Sequence, residues 1–117
     1  MIGIGTGARI LIATKPVDFR KGAEGLAALA REVLGQDPFA GTVIVFRSRR
    51  ADRVKLIAWD GTGLVMVWKA LDEGAFKWPP VVDGVMKLST AQLASLLDGL
   101  DWTRVHLPRQ RRPTALR

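Results

Sequence analysis

The sequence predicts an α+β fold: a small twisted, mainly antiparallel sheet of about five strands, two packed α-helices and a disordered basic C-terminal tail. Three observations lead there. Short β-branched and aromatic runs recur between turn-forming residues. Two other stretches carry apolar residues at helical spacing and stop at a glycine. The last stretch of the chain shows neither pattern. With 117 residues, 48% of them hydrophobic, there is material for one core and not for two. Residues 9–102 are therefore read as a single domain, 1–8 as a flexible lead-in and 103–117 as the tail.

Arg9–Thr14, RILIAT, suits a buried strand, preceded by Gly3, Gly5 and Gly7. Pro16 closes it, and Asp18 is placed to cap a helix with its carboxylate. Phe19, Ala23, Leu26, Ala30, Val33 and Leu34 then draw one helical stripe, and Gly35 stops it. Gly22 and Gly25 cost that helix about 1 kcal/mol each, which points to a close neighbour there, the alternative being mere tolerance. Three strands follow: Thr42–Arg47, Arg53–Trp59 and Leu64–Leu71. Asp60-Gly61-Thr62-Gly63 reads as a hairpin turn because Asp-Gly accommodates positive φ. These strands are apolar on both faces, which suits central strands or a sheet curled towards a barrel. Ala75–Trp78 is a candidate short strand, and Val85–Leu88 a last edge strand. Ser89 and Gln92 form a capping box for a second helix, with Leu88 and Leu93 as its hydrophobic staple. Leu93, Leu96, Leu97 and Leu100 make its stripe, and Gly99 ends it. The tail carries Arg104, Arg109, Arg111, Arg112 and Arg117 without an acid, and cannot bury enough surface to fold alone.

Composition limits function. Eighteen Lys and Arg stand against 11 Asp and Glu, a net charge of +7. So basic a domain points to a polyanionic partner, nucleic acid above all. No cysteine is present, which removes disulfides, thiolate metal sites and cysteine nucleophiles. One histidine, His106, does not build a metal site alone. The N-terminus lacks the pattern of a signal peptide, and no run reaches the roughly 18 apolar residues of a membrane span. The expectation is a cytoplasmic protein with no membrane partner.

No catalytic residue, metal site or cofactor is predicted. The serines and threonines stand in no nucleophile-elbow pattern. The N-terminal glycines lack the Lys-Ser/Thr of a phosphate loop. Clustered carboxylates can hold catalytic Mg²⁺, but Asp18, Asp52, Asp60 and Asp101 each have a capping or turn role. The basic residues are more informative. Arg47, Arg49, Arg50, Arg53 and Lys55 crowd a predicted hairpin tip, offset only by Asp52. Arg20 and Lys21 open the first helix, and Arg109, Arg111 and Arg112 stud the tail. A basic hairpin and a flexible basic tail are one way to grip a duplex backbone. Neutralising about six phosphates would make affinity fall roughly a thousandfold between 50 and 200 mM salt. The bland alternatives are a solvated face or an acidic protein partner. Trp59, Trp68, Trp78 and Trp102 can stack on bases, but packing is the commoner use of such residues. For Trp59 and Trp68, which flank the Asp60 turn, packing across strands is expected.

Several blocks together resemble a known family. Asp18-Phe19-Arg20-Lys21-Gly22 with Gly25-Leu26 is similar to the D-[MF]-R-K-[GS]-x-x-G-L signature of the TnpB accessory proteins of insertion-sequence-66-type elements. Phe46 to Lys55 resembles their F-x-[NSG]-[RK]-R-x-D-x-[ILV]-K block. Trp59 to Gly63, Trp68-Lys69, Leu71, Gly74, Phe76, Trp78-Pro79 and the Leu88 to Asp101 segment continue it in order over residues 9–102. The resemblance implies a role in transposition beside a separate transposase, and no catalytic residues. The RNA-guided nuclease that shares the name is a different and far longer protein. The expected function is thus a non-enzymatic accessory protein of transposition, contacting DNA at element ends and its transposase. An adaptor that binds transposase without DNA, and a small metal-dependent nuclease, are the rivals.

Overall fold

The computed structural model describes residues 8–106. The expected flexible lead-in, up to residue 7, and Arg109, Arg111 and Arg112 lie outside the described residues. The elements run β1 (Ile10–Ala13), α1 (Ala23–Glu32), β2 (Val43–Arg47), β3 (Arg53–Trp59), β4 (Leu64–Ala70), β5 (Val85–Leu88) and α2 (Thr90–Leu97), then a 3-10 turn at Trp102–Arg104. The sheet has the order β4-β3-β2-β1-β5. β1 and β2 are parallel neighbours joined through α1; the other three pairings are antiparallel. A parallel pair needs such a crossover, and short turns suffice for β2–β3 and β3–β4, whereas β5 returns to β1 from the far end of the chain.

The sheet is open, with β4 and β5 as its edges. The two-faced apolarity of the inner strands therefore does not come from barrel closure. Each face is covered by its own layer. On one, Ile10, Ile12, Val43, Val45, Val54, Leu56 and Ala58 pack with Phe76, Leu93 and Leu96 of α2, and Trp102. On the other, Ala13, Ile44, Phe46 and Ile57 pack with Leu26, Ala27 and Ala30 of α1. Side chains alternate along a strand, so Val54 and Leu56 face α2 while Lys55 and Ile57 face α1.

The helix ends show what local chemistry decides. Ser89 Oγ accepts the Gln92 amide at 3.0 Å, and Gln92 Oε1 accepts the Ser89 amide at 2.8 Å, completing the capping box. Gly99 (φ 74°) and Gly35 (φ 64°) follow the two helices in the left-handed conformation. Asp18, by contrast, caps no helix. Its carboxylate accepts the Arg20 amide at 2.9 Å, and α1 starts only at Ala23 with Gly22 in the cap position. An Asx turn of this kind competes with helix initiation.

Other expectations change with the tertiary contacts. Ala75–Trp78 forms no strand. The Phe76 amide and the Trp78 indole N–H both donate to the carbonyl of Ala51, at 2.9 and 3.0 Å, so the segment is pinned at one point rather than along a ladder. Val33 (73% exposed) and Leu100 (57%) fall off their helical stripes. Gly25 has only Lys21 of the preceding turn close by, and Gly22 has no neighbour within 4 Å, so neither marks a tight contact between elements. Register places Trp59 opposite Leu64 and Trp68 opposite Lys55, so the two indoles do not meet. Trp59 instead sits edge-on to Phe39, 5.5 Å between ring centres. The fold also continues past Trp102: the Val105 carbonyl accepts from Gln92 Nε2 at 3.2 Å.

Candidate nucleic-acid interface

The tip between β2 and β3 has a fixed backbone. The buried Ser48 hydroxyl donates to the Arg50 carbonyl at 2.7 Å, and the Asp52 carbonyl accepts the Leu71 amide at 2.9 Å. Beside it runs the segment after β1. The Val17 amide donates to the Arg47 carbonyl at 2.8 Å, tying that segment to the end of β2. Further along, Lys55 reaches out of β3 and donates to the carbonyls of Phe19 at 2.7 Å and Lys21 at 2.9 Å. Its ammonium also lies 5.2 Å from the Phe19 ring centre. Two stretches far apart in sequence are thereby clamped together.

Between them lies a cleft of about 500 Å³, lined by residues 16–20 on one wall and by Ser48, Arg49, Arg50 and Arg53 on the other. Four of the seven predicted contact residues gather here: Arg20, Arg49, Arg50 and Arg53. Three do not line it. Lys55 is 7% exposed and spends its charge on backbone carbonyls, so it is a clamp under the cleft rather than part of its surface. Arg47 points to the opposite face, its guanidinium 5.2 Å from the Trp78 ring centre; burial there lowers its pKa. Lys21 is exposed just beyond the lining. Lys55's position was readable in part: it stands between Val54 and Leu56 in a strand otherwise apolar on both faces.

Two carboxylates temper the charge. Asp18 holds Arg20 through both oxygens, at 2.7 to 3.1 Å. Hydrogen bonds from the Arg20 guanidinium and amide bring the Asp18 carboxyl down to about 2. Asp52 pairs with Arg50 at 3.3 Å and approaches Arg53 at 3.8 Å. Arg49 is exposed and has no ion pair among the described residues. Exposed pairs such as Asp18–Arg20 contribute little to stability and exchange readily for another anion. The tip also concentrates unmet polar atoms. Arg47 Nε, Asp52 Oδ1 and Arg53 Nε are buried and have no hydrogen-bond partner among the described residues. Two of these atoms, Asp52 Oδ1 and Arg53 Nε, face each other at 3.8 Å as an ion pair rather than a hydrogen bond.

The acids considered for metal binding are elsewhere engaged. Asp60 Oδ1 accepts from the Thr62 amide, the Thr62 hydroxyl and the Gly63 amide at 2.9 to 3.2 Å. Asp101 caps the 3-10 turn through the Thr103 amide and hydroxyl. Among the described residues no group of three or more His, Asp or Glu could hold a metal ion. No helix among them is long and apolar enough to cross a membrane.

Fold and cleft together define a small, basic, two-helix α+β domain whose arginines converge at one end of an open mixed sheet. Residues 8–107 match the family described as "IS66 Orf2 like protein". The chain belongs to this family, the one its motifs resemble, and membership carries a transposition-associated accessory role. It is 47% identical over 114 residues to y4jC of Sinorhizobium fredii, covering 97% of both chains. It is 41% identical over 102 residues to y4hO of the same organism, covering 87% of this chain and 89% of the relative. Both are named as uncharacterised proteins. No solved structure matches the chain.

Proposed function

We propose that this protein is a non-catalytic accessory factor of transposition that holds DNA by its phosphate backbone and acts at element ends beside a separate transposase. The observation that carries the reading is the convergence of Arg20, Arg49, Arg50 and Arg53 on one cleft. Planar guanidiniums bind phosphate oxygens in pairs, and backbone contacts of this kind position a protein without reading sequence. The ordered wall from Pro16 to Arg20 and the ordered tip set the spacing of these groups before DNA arrives. Lys21, exposed beside the cleft, adds long-range attraction.

The test is fluorescence anisotropy of a labelled end-sequence duplex across a salt series. Four arginine–phosphate contacts predict a fall in affinity of about a hundredfold between 50 and 200 mM salt. The double substitution R49E/R50E removes most binding at low salt and flattens the salt dependence. Failure to bind duplex at low salt, with capture of transposase intact, overturns this reading in favour of the adaptor. Nicking of supercoiled DNA with Mg²⁺ that disappears in D60A would overturn the non-catalytic assignment.

A further inference from the structure

The four tryptophans have different surroundings. Trp102 is 5% exposed and donates its indole N–H to the Lys77 carbonyl at 2.7 Å. Trp78 donates to the Ala51 carbonyl, and Trp59 meets Phe39. Trp68 is the exception: it stands on the edge strand β4 and is 50% exposed. Packing accounts for the first three and leaves an open indole at Trp68.

Its neighbours connect it to the cleft. Trp68 is opposite Lys55 in the β3–β4 register, on the sheet face that carries α1. The guanidinium of Arg53, which lines the cleft, lies 5.6 Å from the Trp68 ring centre. One side chain thus touches both the arginine-lined cleft and the aromatic surface. Met66, two residues back on the same strand face, is 37% exposed and extends the apolar strip away from the cleft.

We propose that Trp68 is a stacking platform for an unpaired base, and that the cleft with Trp68 recognises single-stranded or locally opened DNA in preference to closed duplex. This rests on the DNA-binding reading above and specifies its substrate. A guanidinium-lined groove next to an exposed aromatic ring is the arrangement that holds a strand by phosphate and base together. Bases in an intact duplex hide their π-faces in the stack, so a ring beside the phosphate track gains contact only where a base is unpaired. The occupant follows from charge. A second copy docking on this face would bring two sets of arginines together, whereas a nucleic-acid strand brings the opposite charge.

The experiment compares a short oligothymidine strand with a duplex of equal length, by anisotropy at fixed salt, for the parent, W68A and W68F. The parent favours the single strand. W68A lowers the single-strand-to-duplex affinity ratio about tenfold, and W68F, still aromatic, keeps most of it. Oligothymidine quenches tryptophan fluorescence in the parent, and that component is missing in W68F. Circular dichroism of both variants checks that the fold is retained. An equal loss on both probes, or a ratio unchanged in W68A, overturns the stacking assignment and leaves duplex contact standing. Concentration-dependent dimerisation lost in W68A, with the ratio unchanged, overturns it in favour of a second copy. Failure of every probe to bind overturns the DNA reading and this proposal together.

Discussion

The two ends of β3 are both turns, and they are built on opposite terms. At the Asp60 end one carboxylate oxygen accepts three hydrogen bonds, and Gly61 takes φ 101° without penalty. At the Arg53 end, Arg50 and Arg53 crowd the one acid of the turn, Asp52, and three buried polar atoms have no hydrogen-bond partner among the described residues. The first turn is satisfied within itself. The second holds more positive charge than its one acid, Asp52, meets, and it is tied to a distant segment. The difference separates a turn that serves the fold from one that the fold serves.

The largest effect is expected at the clamp. Lys55→Met keeps the side-chain bulk but leaves the Phe19 and Lys21 carbonyls without their donor. A loss of about 3 kcal/mol in urea unfolding is expected, with weaker DNA binding because the cleft wall is released. Unchanged stability would mean that the Asp18–Lys21 segment docks without Lys55, and the contrast between the turns would weaken.

At the other end, Gly61→Ala forces a β-carbon into a left-handed conformation and should cost about 1 kcal/mol. DNA affinity should stay at the parent value. A binding defect in this variant would show that the Asp60 turn also meets the ligand.

Asp60 sharpens the contrast through pH. Hydrogen bonds from the Thr62 and Gly63 amides, then the Thr62 hydroxyl, hold its carboxyl below the ordinary value. A carboxyl depressed in the folded state stabilises it above the unfolded pKa, about 3.9. That contribution is lost as pH falls through the lower folded value. The stability gap between the parent and D60A in urea melts should therefore be full at neutral pH and close in acid. A gap of constant size would assign the effect to backbone geometry alone.

The smallest change in stability is expected where the change in binding is greatest. Replacing Arg49 and Arg50 together by alanine should move unfolding free energy by less than about 0.5 kcal/mol, since both are exposed. A large loss would make the tip a structural feature and remove the contrast.

Much of the fold was legible because neighbours in sequence decide it. The bounds of β3 and β5, the capping box at Ser89 and the Asp60-Gly61 turn depend on chemistry within a few residues. Asp18 misled for a related reason: the same carboxylate that caps helices also closes Asx turns, and here Arg20 takes both of its oxygens. Ala75–Trp78 has a strand's composition, but one carbonyl at Ala51 captures two of its donors. The site was only partly legible. Charge density marked the tip, and Val54 and Leu56 on either side of Lys55 hinted at its burial, but only its contacts with the Phe19 and Lys21 carbonyls make it a clamp while Arg49 stays exposed in the cleft.

By itself the sequence determined the element types, the family motifs and the excess of positive charge. These rest on side-chain spacing, turn chemistry and composition, all of which act over short distances along the chain. Only the tertiary structure decided that Arg20 would face Arg49 and Arg50, that Arg47 would turn to the far side of the sheet, and that Trp68 would remain open while Trp102 was buried. Strand register and the layering of a helix on each face settle those outcomes. Both are sums over contacts between residues remote in sequence, where no single residue carries the information.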